Sequence, residues 1–383
     1  MKTIFKKILN LFFAFSPNGI IHFKKLTKSI KGECVDKPET LTQVLYLENG
    51  EINVIKPFVN KFNVPFTYRK VHNKLRYLNG GIFSEPNRVI YSLQNGCIFG
   101  NLGIIYDPIT NKVIDESAKE WIINLKENAI FNSIRIRKSV YKQGVALSIA
   151  TTGADGGFYH FISEAIIKLH LCKEILKDID YILVPGEKAT WKENWLLAAN
   201  VELSKVIWLT NDSHFKFDQL IFTNRLISDQ QFTNWSVNAL RSIYNLEQVK
   251  VEKNNRIIWS SRKTAKHRNF LWEEKIKKFY SNIEFIDFTK LSPSQTIQIC
   301  KETKLFLGPH GGGFSNIVFC NPNTIVLEIF PSLEFQPLYN RLSNKCDLNH
   351  FAIALNYNDE NSEIGLKYFN EVFNEIAFKN RLV

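Results

Sequence analysis

Residues 304–331, KLFLGPHGGGFSNIVFCNPNTIVLEIFP, decide how the chain is interpreted. The pattern predicts a buried strand, a glycine-rich turn that opens a helix, and a second buried strand that ends at Glu328. Glycine allows positive φ and a close approach of the backbone to a ligand, and the N–H groups at a helix start attract anions. The segment therefore predicts a binding site for a diphosphate. Glu328 stands about 20 residues after Gly308, where a carboxylate contacts ribose in dinucleotide-binding folds.

The glycine turn departs from the standard nucleotide-binding fingerprints. Asn316 stands where a dinucleotide fingerprint has its last glycine, and the lysine of a P-loop is absent. From the glycines alone, a ligand site and a tight structural turn both remain open. Polar neighbours favour the ligand site, although Ser315 and Asn316 could equally cap the helix. The binding residues predicted in this segment are His310, Gly311, Gly312, Gly313, Ser315, Asn316 and Glu328.

Length and composition indicate a globular protein of two domains. The chain has 383 residues, of which 45% are hydrophobic and 22% charged; this is an ordinary globular composition, and the chain is long for a single core. The predicted divisions are a basic and apolar N-terminal segment at 1–30, an α/β domain at 31–250, a Rossmann-like domain at 251–360, and a C-terminal helix at 361–383 that crosses back to the first domain.

The formal charge of +12 predicts an acidic partner: a phosphorylated substrate, an anionic membrane surface or a nucleic acid. No helix-turn-helix or RNA-binding sheet motif occurs, so nucleic acid is not expected. At the N-terminus, Lys2, Lys6 and Lys7 precede an apolar run at 8–15 that is too short to span a bilayer. This segment suits either an interfacial helix on anionic lipid or a helix packed on the domain.

The six cysteines show neither a CxxC motif nor the spacing of metal ligands, and no metal site is predicted. Cys172, Cys300 and Cys320 lie within apolar patterns and are predicted to be buried thiols. This usage favours a reducing, cytoplasmic setting, with the basic N-terminal segment peripheral at the inner face of the membrane.

Strand and helix patterns alternate in two series, which predicts α/β domains with parallel sheets. The first series has predicted strands at 145–150, 181–184 and 206–209, with helices at 159–176 and 191–199. The second has strands at 257–260, 284–288, 305–307, 325–329 and 351–355, with helices at 270–280 and 293–303. Region 30–140 is predicted only to be mixed, with strands such as 43–47 and 88–92.

Arg262 and Lys263 directly follow the predicted strand at 257–260. The carboxyl ends of parallel strands bind ligands in open α/β sheets, and an arginine there can contact phosphate oxygens with two N–H groups. A phosphate-binding pair is one interpretation. A solvated basic loop is the other.

A third group of polar residues, Asp155, His160 and Glu164, follows the predicted strand at 145–150. His160 and Glu164 are four residues apart and share a face of the next helix. A carboxylate beside an imidazole orients it for general-base work near neutral pH. The alternative, favoured when this loop is taken alone, is a capping aspartate with a core histidine bonded to its neighbour.

Together these three segments resemble glycosyltransferase family 61. The family pattern GxHGAGLTN…PPGTxVLEIFP is matched by residues 308–331, with Gly312 in place of the usual alanine and Phe314-Ser315 in place of Leu-Thr. The stretch WSSRK at 259–263 resembles the strand-plus-arginine motif of the family, and FYHF at 158–161 with Glu164 resembles NYYHW…E. Gly156-Gly157 departs from the asparagine that is common there. The resemblance covers about residues 145–345.

The resemblance implies a GT-B architecture, in which two Rossmann-like domains face a cleft, and a metal-independent, inverting transfer from a nucleotide sugar. Residues 31–250 would be the acceptor side and 251–360 the donor side, with UDP the expected nucleotide and no cofactor. His160 is the first choice for the base, Asp155 the second, and Glu164 the orienting partner. The expected acceptor is a hydroxyl of a surface polysaccharide or lipid-linked saccharide. The alternative is a non-catalytic nucleotide or polyanion-binding protein of the same fold.

Overall fold

The structure, a computed structural model, describes residues 21–22, 28–30, 42–55, 81–109, 112–118, 135–136, 138–227, 232–251, 253–263, 273–330, 337–355 and 363–379. The apolar run at 8–15 lies outside these residues, so the N-terminal helix stays a prediction. Residues near the end of that predicted segment form short strands.

The strands of the described residues are, in chain order, β1 (Ile21–His22), β2 (Lys28–Ile30), β3 (Thr42–Glu48), β4 (Ile52–Ile55), β5 (Gly81–Ser84), β6 (Arg88–Gln94), β7 (Cys97–Phe99), β8 (Ile104–Asp107), β9 (Lys112–Ile114), β10 (Arg135–Ile136), β11 (Val140–Ser148), β12 (Tyr181–Pro185), β13 (Val206–Leu209), β14 (His214–Thr223), β15 (Arg256–Ser260), β16 (Glu284–Ile286), β17 (Thr303–Pro309), β18 (Ile325–Phe330) and β19 (Asn349–Ala354).

The α-helices of the described residues are α1 (Asp115–Ala118), α2 (Phe158–His160), α3 (Ile167–Leu171), α4 (Thr190–Ala198), α5 (Asn234–Ile243), α6 (Glu273–Phe279), α7 (Pro293–Glu302), α8 (Leu338–Lys345) and α9 (Glu363–Lys379). A π-helical segment, Phe161–Ile166, joins α2 to α3. Segments of 3-10 helix are Lys173–Asp178, Leu203–Lys205, Leu246–Gln248, Phe288–Lys290 and Gly312–Phe319.

The chain packs as two units, of which the first comprises Met1–Glu51 and Glu85–Asp229. Its main sheet contains a parallel part in the order β13-β12-β11-β14. Counted along the chain this order is 3-2-1-4, as in Rossmann-like sheets, and the topological switch point lies between β11 and β14. At that point Ser148 of β11 is in register with Phe222 of β14.

β14 is the longest strand of the first sheet, and no sequence pattern predicts it. It pairs in parallel with β11 and antiparallel with β6 and β7, so it joins the parallel part to the antiparallel extension. Phe217 and Leu220 of β14 pack with Ala146 and Leu183 in the core. Its sequence, HFKFDQLIFT, lacks flanking glycine or proline, which are the usual signals of strand ends.

The second unit comprises Ile52–Ser84 and Gln230–Val383. Its main sheet is parallel throughout, in the order β16-β15-β17-β18-β19. Counted along the chain this order is 2-1-3-4-5, and its switch point lies between β15 and β17. The sheet therefore places the ends of these two strands, and the loops that follow them, at the expected position of a ligand.

These sheets confirm the predicted α/β class. α7 begins with a capping box: Ser292 accepts a hydrogen bond from the Gln295 N–H, the Gln295 side chain accepts one from the Ser292 N–H, and Pro293 stands at the first turn. The buried thiols at Cys172, Cys300 and Cys320 are confirmed as well.

The C-terminal helix α9 packs on the core of the second unit, where its apolar face meets side chains on β15 and at the end of α6. Its crossing back to the first domain stays a prediction. Phe369 lies edge-on to Trp259, and Phe373 lies 4.5 Å from Tyr280 between ring centroids. Within the described part of the chain, no helix has the length and hydrophobicity needed to cross a membrane.

Candidate functional site

The glycine turn follows β17 in the second unit, as predicted, but its backbone differs in two ways. The segment after it is a 3-10 helix, Gly312–Phe319, and not an α-helix. Within the turn, positive φ occurs at Gly308 (143°), whereas Gly311 has an extended φ of 164°. Glycine at 311 is therefore not required by backbone conformation.

Close packing explains the glycines instead. A β carbon at Gly311 would lie 1.7 Å from Nη1 of Arg262, and one at Gly313 would lie 2.5 Å from Oγ of Ser260. A β carbon at Gly312 would meet no atom within 4 Å. The switch point thus brings Arg262, which follows β15, directly against the turn that follows β17.

Glu273, near the start of α6, holds the loop that carries Arg262. Its buried carboxylate accepts hydrogen bonds from Trp259 Nε1 and from the Arg262 backbone N–H, each at 3.3 Å, and from the Ser261 hydroxyl. Lys263 is placed differently. Its exposed ammonium lies 2.7 Å from Glu274, which accounts for the raised pKa of Lys263.

Ser315 and Asn316 do not cap the helix. Gly311 occupies the cap position without a side-chain bond, while Asn316 donates to the carbonyl of Gly313 at 3.0 Å. Both side chains are buried. Among the described residues, Ser315 Oγ and Asn316 Oδ1 have no hydrogen-bond partner, which is uncommon for buried polar atoms.

Glu328 lies between two histidines. Its side chain has 0% exposure, with Oε1 2.5 Å from His310 Nδ1 and Oε2 3.2 Å from His350 Nε2. Ser343 on α8 lies 2.8 Å from the other ring nitrogen of His350. Burial acts to raise the pKa of Glu328, but the two histidines outweigh it and hold the pKa below its ordinary value.

This geometry revises the role predicted for Glu328. β18 continues to Phe330, so Glu328 does not end its strand, and it has no exposed surface to offer a ribose. The carboxylate instead braces His310, whose ring stacks on Phe330.

The predicted cluster of Asp155, His160 and Glu164 lies in the first unit, near the switch point of its sheet. His160 Nδ1 lies 2.7 Å from Glu164 Oε1, so the two residues do share a face of the helix. Glu164 is buried, and its Oε2 accepts hydrogen bonds from Arg225 Nε at 3.1 Å and from Thr151 Oγ1 at 3.3 Å. Nη2 of Arg225 lies 3.0 Å from the same oxygen as an ion pair. Glu164 belongs to the π-helical segment, a form that often occurs at functional sites.

Asp155 lies on the loop before this helix. Its carboxylate accepts a hydrogen bond from Asn101 at 3.0 Å. Its backbone carbonyl accepts one from Lys192 at 2.6 Å, and the same ammonium donates to the carbonyls of Pro185 and Glu187. Burial lowers the pKa of Lys192. The lysine therefore ties the loop after β11 to the turn after β12.

Four residues that support these groups could not be predicted from the sequence: Arg225, Lys192, Glu273 and His350. Three of them lie far along the chain from the predicted residue that they support, Arg225 from Glu164, Lys192 from Asp155 and His350 from Glu328, so no local motif marks them. The exception is Glu273, which follows Arg262 by 11 residues. No group of three histidine, cysteine, aspartate or glutamate side chains in the described ranges is arranged to hold a metal ion.

Comparison with known families agrees with the resemblance found in the sequence. Residues 158–327 match the family Glycosyltransferase 61, and this span includes His160, Glu164, Arg262 and the whole glycine turn. No curated protein matches the chain significantly. Residues 158–327 therefore carry a glycosyltransferase family 61 domain, and this domain supports a glycosyltransferase enzyme.

Proposed function

We propose that the protein transfers a sugar, with inversion, from a nucleotide sugar to an acceptor hydroxyl, and that UDP is the nucleotide. The observation that carries this proposal is the contact of Arg262 with Gly311 at the switch point of the second sheet. An arginine, a close backbone approach and the N–H groups of a helix start meet there, and together they suit a leaving diphosphate.

In this proposal the second unit holds the donor. The guanidinium of Arg262 stabilises the negative charge that develops on the diphosphate, and the backbone at 311–313 approaches the phosphates closely. Gly312 faces open space, so its side of the turn can admit a ligand. The buried Ser315 Oγ and Asn316 Oδ1 supply further polar atoms at the same turn.

The first unit supplies the base. The hydrogen bond to Glu164 places the proton on Nδ1 of His160, which leaves Nε2 as the nitrogen that takes the proton from the acceptor. Arg225 and Glu164 fix the ring, so His160 is the first choice. Asp155 remains the second, since its carboxylate oxygen is engaged by the neutral amide of Asn101. A GT-B arrangement, with the two units facing a cleft, is part of the proposal.

The net charge of the protein is the basis for the proposed acceptor and for the proposed location of the protein in the cell. The net charge of +12 suits a lipid-linked or surface-polysaccharide acceptor at an anionic membrane face, with the protein on the cytoplasmic side. The transfer is proposed to need no divalent metal, since Arg262 and the backbone N–H groups can take over the neutralisation of the diphosphate.

A binding and turnover experiment tests the donor site. UDP affinity is measured by calorimetry for the wild type, Arg262→Ala and Lys263→Ala, and transfer or donor hydrolysis is followed with a panel of UDP-sugars in EDTA. Loss of a charge-assisted contact at Arg262 should weaken UDP binding at least about tenfold. Lys263→Ala is the matched control, because its ammonium pairs with Glu274 at the surface.

Three results would contradict the proposal in different ways. Equal UDP affinity in Arg262→Ala would remove the arginine from the phosphate site. Turnover that appears only when Mn²⁺ or Mg²⁺ is added would overturn the metal-free mechanism. Tight nucleotide binding with no turnover on any donor would favour the non-catalytic binding protein.

A further inference from the structure

A polar pocket lies in the first unit beside the carboxyl ends of β11 and β14. Its lining includes Thr151 and Thr152 after β11, Thr223 and Arg225 at the end of β14, and Lys168 on α3. Open α/β sheets bind ligands at this position, outside the carboxyl ends of the strands at a switch point. None of the roles given above to His160 or Asp155 uses this pocket.

Lys168 is a buried cation of the pocket that has N–H donors to spare. Its side chain is buried, with 5% exposure of the residue, and among the described residues its Nζ donates to the carbonyl of Ala150 at 2.6 Å. An ammonium has three N–H donors. Glu164 attracts Lys168 electrostatically, but the Glu164 oxygens already accept from other partners. A buried ammonium with donors to spare is costly unless a ligand or water completes its shell.

We propose that this pocket binds an anionic oxygen group of the acceptor, either a carboxylate of an acidic sugar or a phosphate, with Lys168 as the cationic contact. Arg225 adds a second positive charge, and the hydroxyl of Thr152 can donate to the same group. The inference rests on the proposed function, since it describes the acceptor of that transfer. The pocket adjoins Glu164 through Thr151, so the bound group lies beside the residues that orient His160.

The groups around Lys168 determine how the anion affinity of the pocket should depend on pH. Burial lowers the pKa of Lys168 to about 8, while Glu164 and Cys172 act to raise it and Arg225 acts to lower it; Glu116 also lines the pocket. The ammonium form binds an anion and the neutral amine does not. Anion affinity should therefore fall as the pH rises from 7 to 9.5.

Binding of small probes to the full chain, without a donor, tests the site. The probes are methyl glucuronide for a carboxylate, glucose 6-phosphate for a phosphate, and methyl glucoside as the neutral reference, each titrated by ligand-observed NMR. The wild type should prefer at least one anionic probe over the neutral one about tenfold or more. Lys168→Met should lose this preference, while Lys205→Met, whose ammonium donates to the Ile179 carbonyl elsewhere in the unit, should keep it.

The two anionic probes distinguish a carboxylate from a phosphate. The preferred probe identifies the anionic group of the acceptor. Equal affinity for charged and neutral probes in the wild type overturns the site, and so does an unchanged preference in Lys168→Met. Circular dichroism and urea denaturation show whether Lys168→Met is folded; if it is not, the comparison of probes and the pH profile of the wild type decide. An anion preference that depends on Lys168 in a protein without transferase activity would support the pocket and contradict the proposed function.

Discussion

Gly311 and Gly312 are adjacent in the chain, yet they have different surroundings. A β carbon at 311 would collide with the guanidinium of Arg262, whereas one at 312 would meet open space. Gly311 is extended and neither residue has the left-handed φ that favours glycine, so alanine fits the backbone at both. The difference between the two substitutions therefore isolates the contact with Arg262.

We expect Gly311→Ala to weaken UDP binding about tenfold and Gly312→Ala to leave it unchanged. In Gly311→Ala the long arginine side chain can rotate away from the new methyl group, so the free energy of unfolding should change by less than about 1 kcal/mol. Calorimetry with UDP and urea denaturation measure the two quantities. Equal UDP affinities in the two variants would contradict the placement of Arg262 at the phosphates.

At the scale of secondary-structure elements, a buried lysine holds two loops at the end of the first sheet in place. Lys192 on α4 donates to three carbonyls, those of Asp155, Pro185 and Glu187, and its ammonium lies 5.7 Å and 5.8 Å from the ring centroids of Trp191 and Trp208. The loop that precedes His160 is thereby fixed to the turn after β12.

Lys192→Met should destabilise the protein by about 3 kcal/mol, because three carbonyls lose a charged donor in a place that water reaches poorly. Urea denaturation measures the change. Lys188→Met is the control: its exposed ion pair with Glu193 should be worth less than about 1 kcal/mol. Similar losses in both variants would show that Lys192 does not hold the two loops together.

At the scale of the whole molecule, acid acts on a chain that is already strongly positive. The net charge of +12 at pH 7 grows as carboxylates become protonated, so general repulsion destabilises the folded state. Glu328 adds a specific effect. Its pKa is held below the ordinary value of 4.5, so its contribution is complete above about pH 4.5 and is lost as the pH falls through the lower folded value.

Glu328→Gln should cost about 3 kcal/mol at pH 7, since it leaves two histidines without their carboxylate, and it should flatten the loss of stability between about pH 5 and 3. Urea denaturation at a series of pH values gives both quantities. Glu375→Gln, which removes an exposed pair on α9, keeps the acid slope of the wild type. A slope in Glu328→Gln as steep as in the control would show that Glu328 does not titrate abnormally.

Much of the second sheet could be predicted from local patterns. The strands β15, β17 and β18 are continuous apolar runs between clear turn signals, and Ser292 with Pro293 marks the start of α7. The long strand β14 could not be predicted in this way, because its burial comes from β11, β6 and β7 rather than from its own periodicity.

The sequence by itself determined the α/β class, the glycine turn, and the positions of Arg262, His160 and Glu164, because each of these depends on residues close together in the chain. Tertiary structure alone decided which distant side chains meet them. Strand order brings Arg262 to Gly311, Arg225 to Glu164, and His350 to Glu328. It also converts Glu328 from an expected ribose contact into a buried brace, since a residue's partners across a parallel sheet are set by strand neighbours that no local pattern specifies.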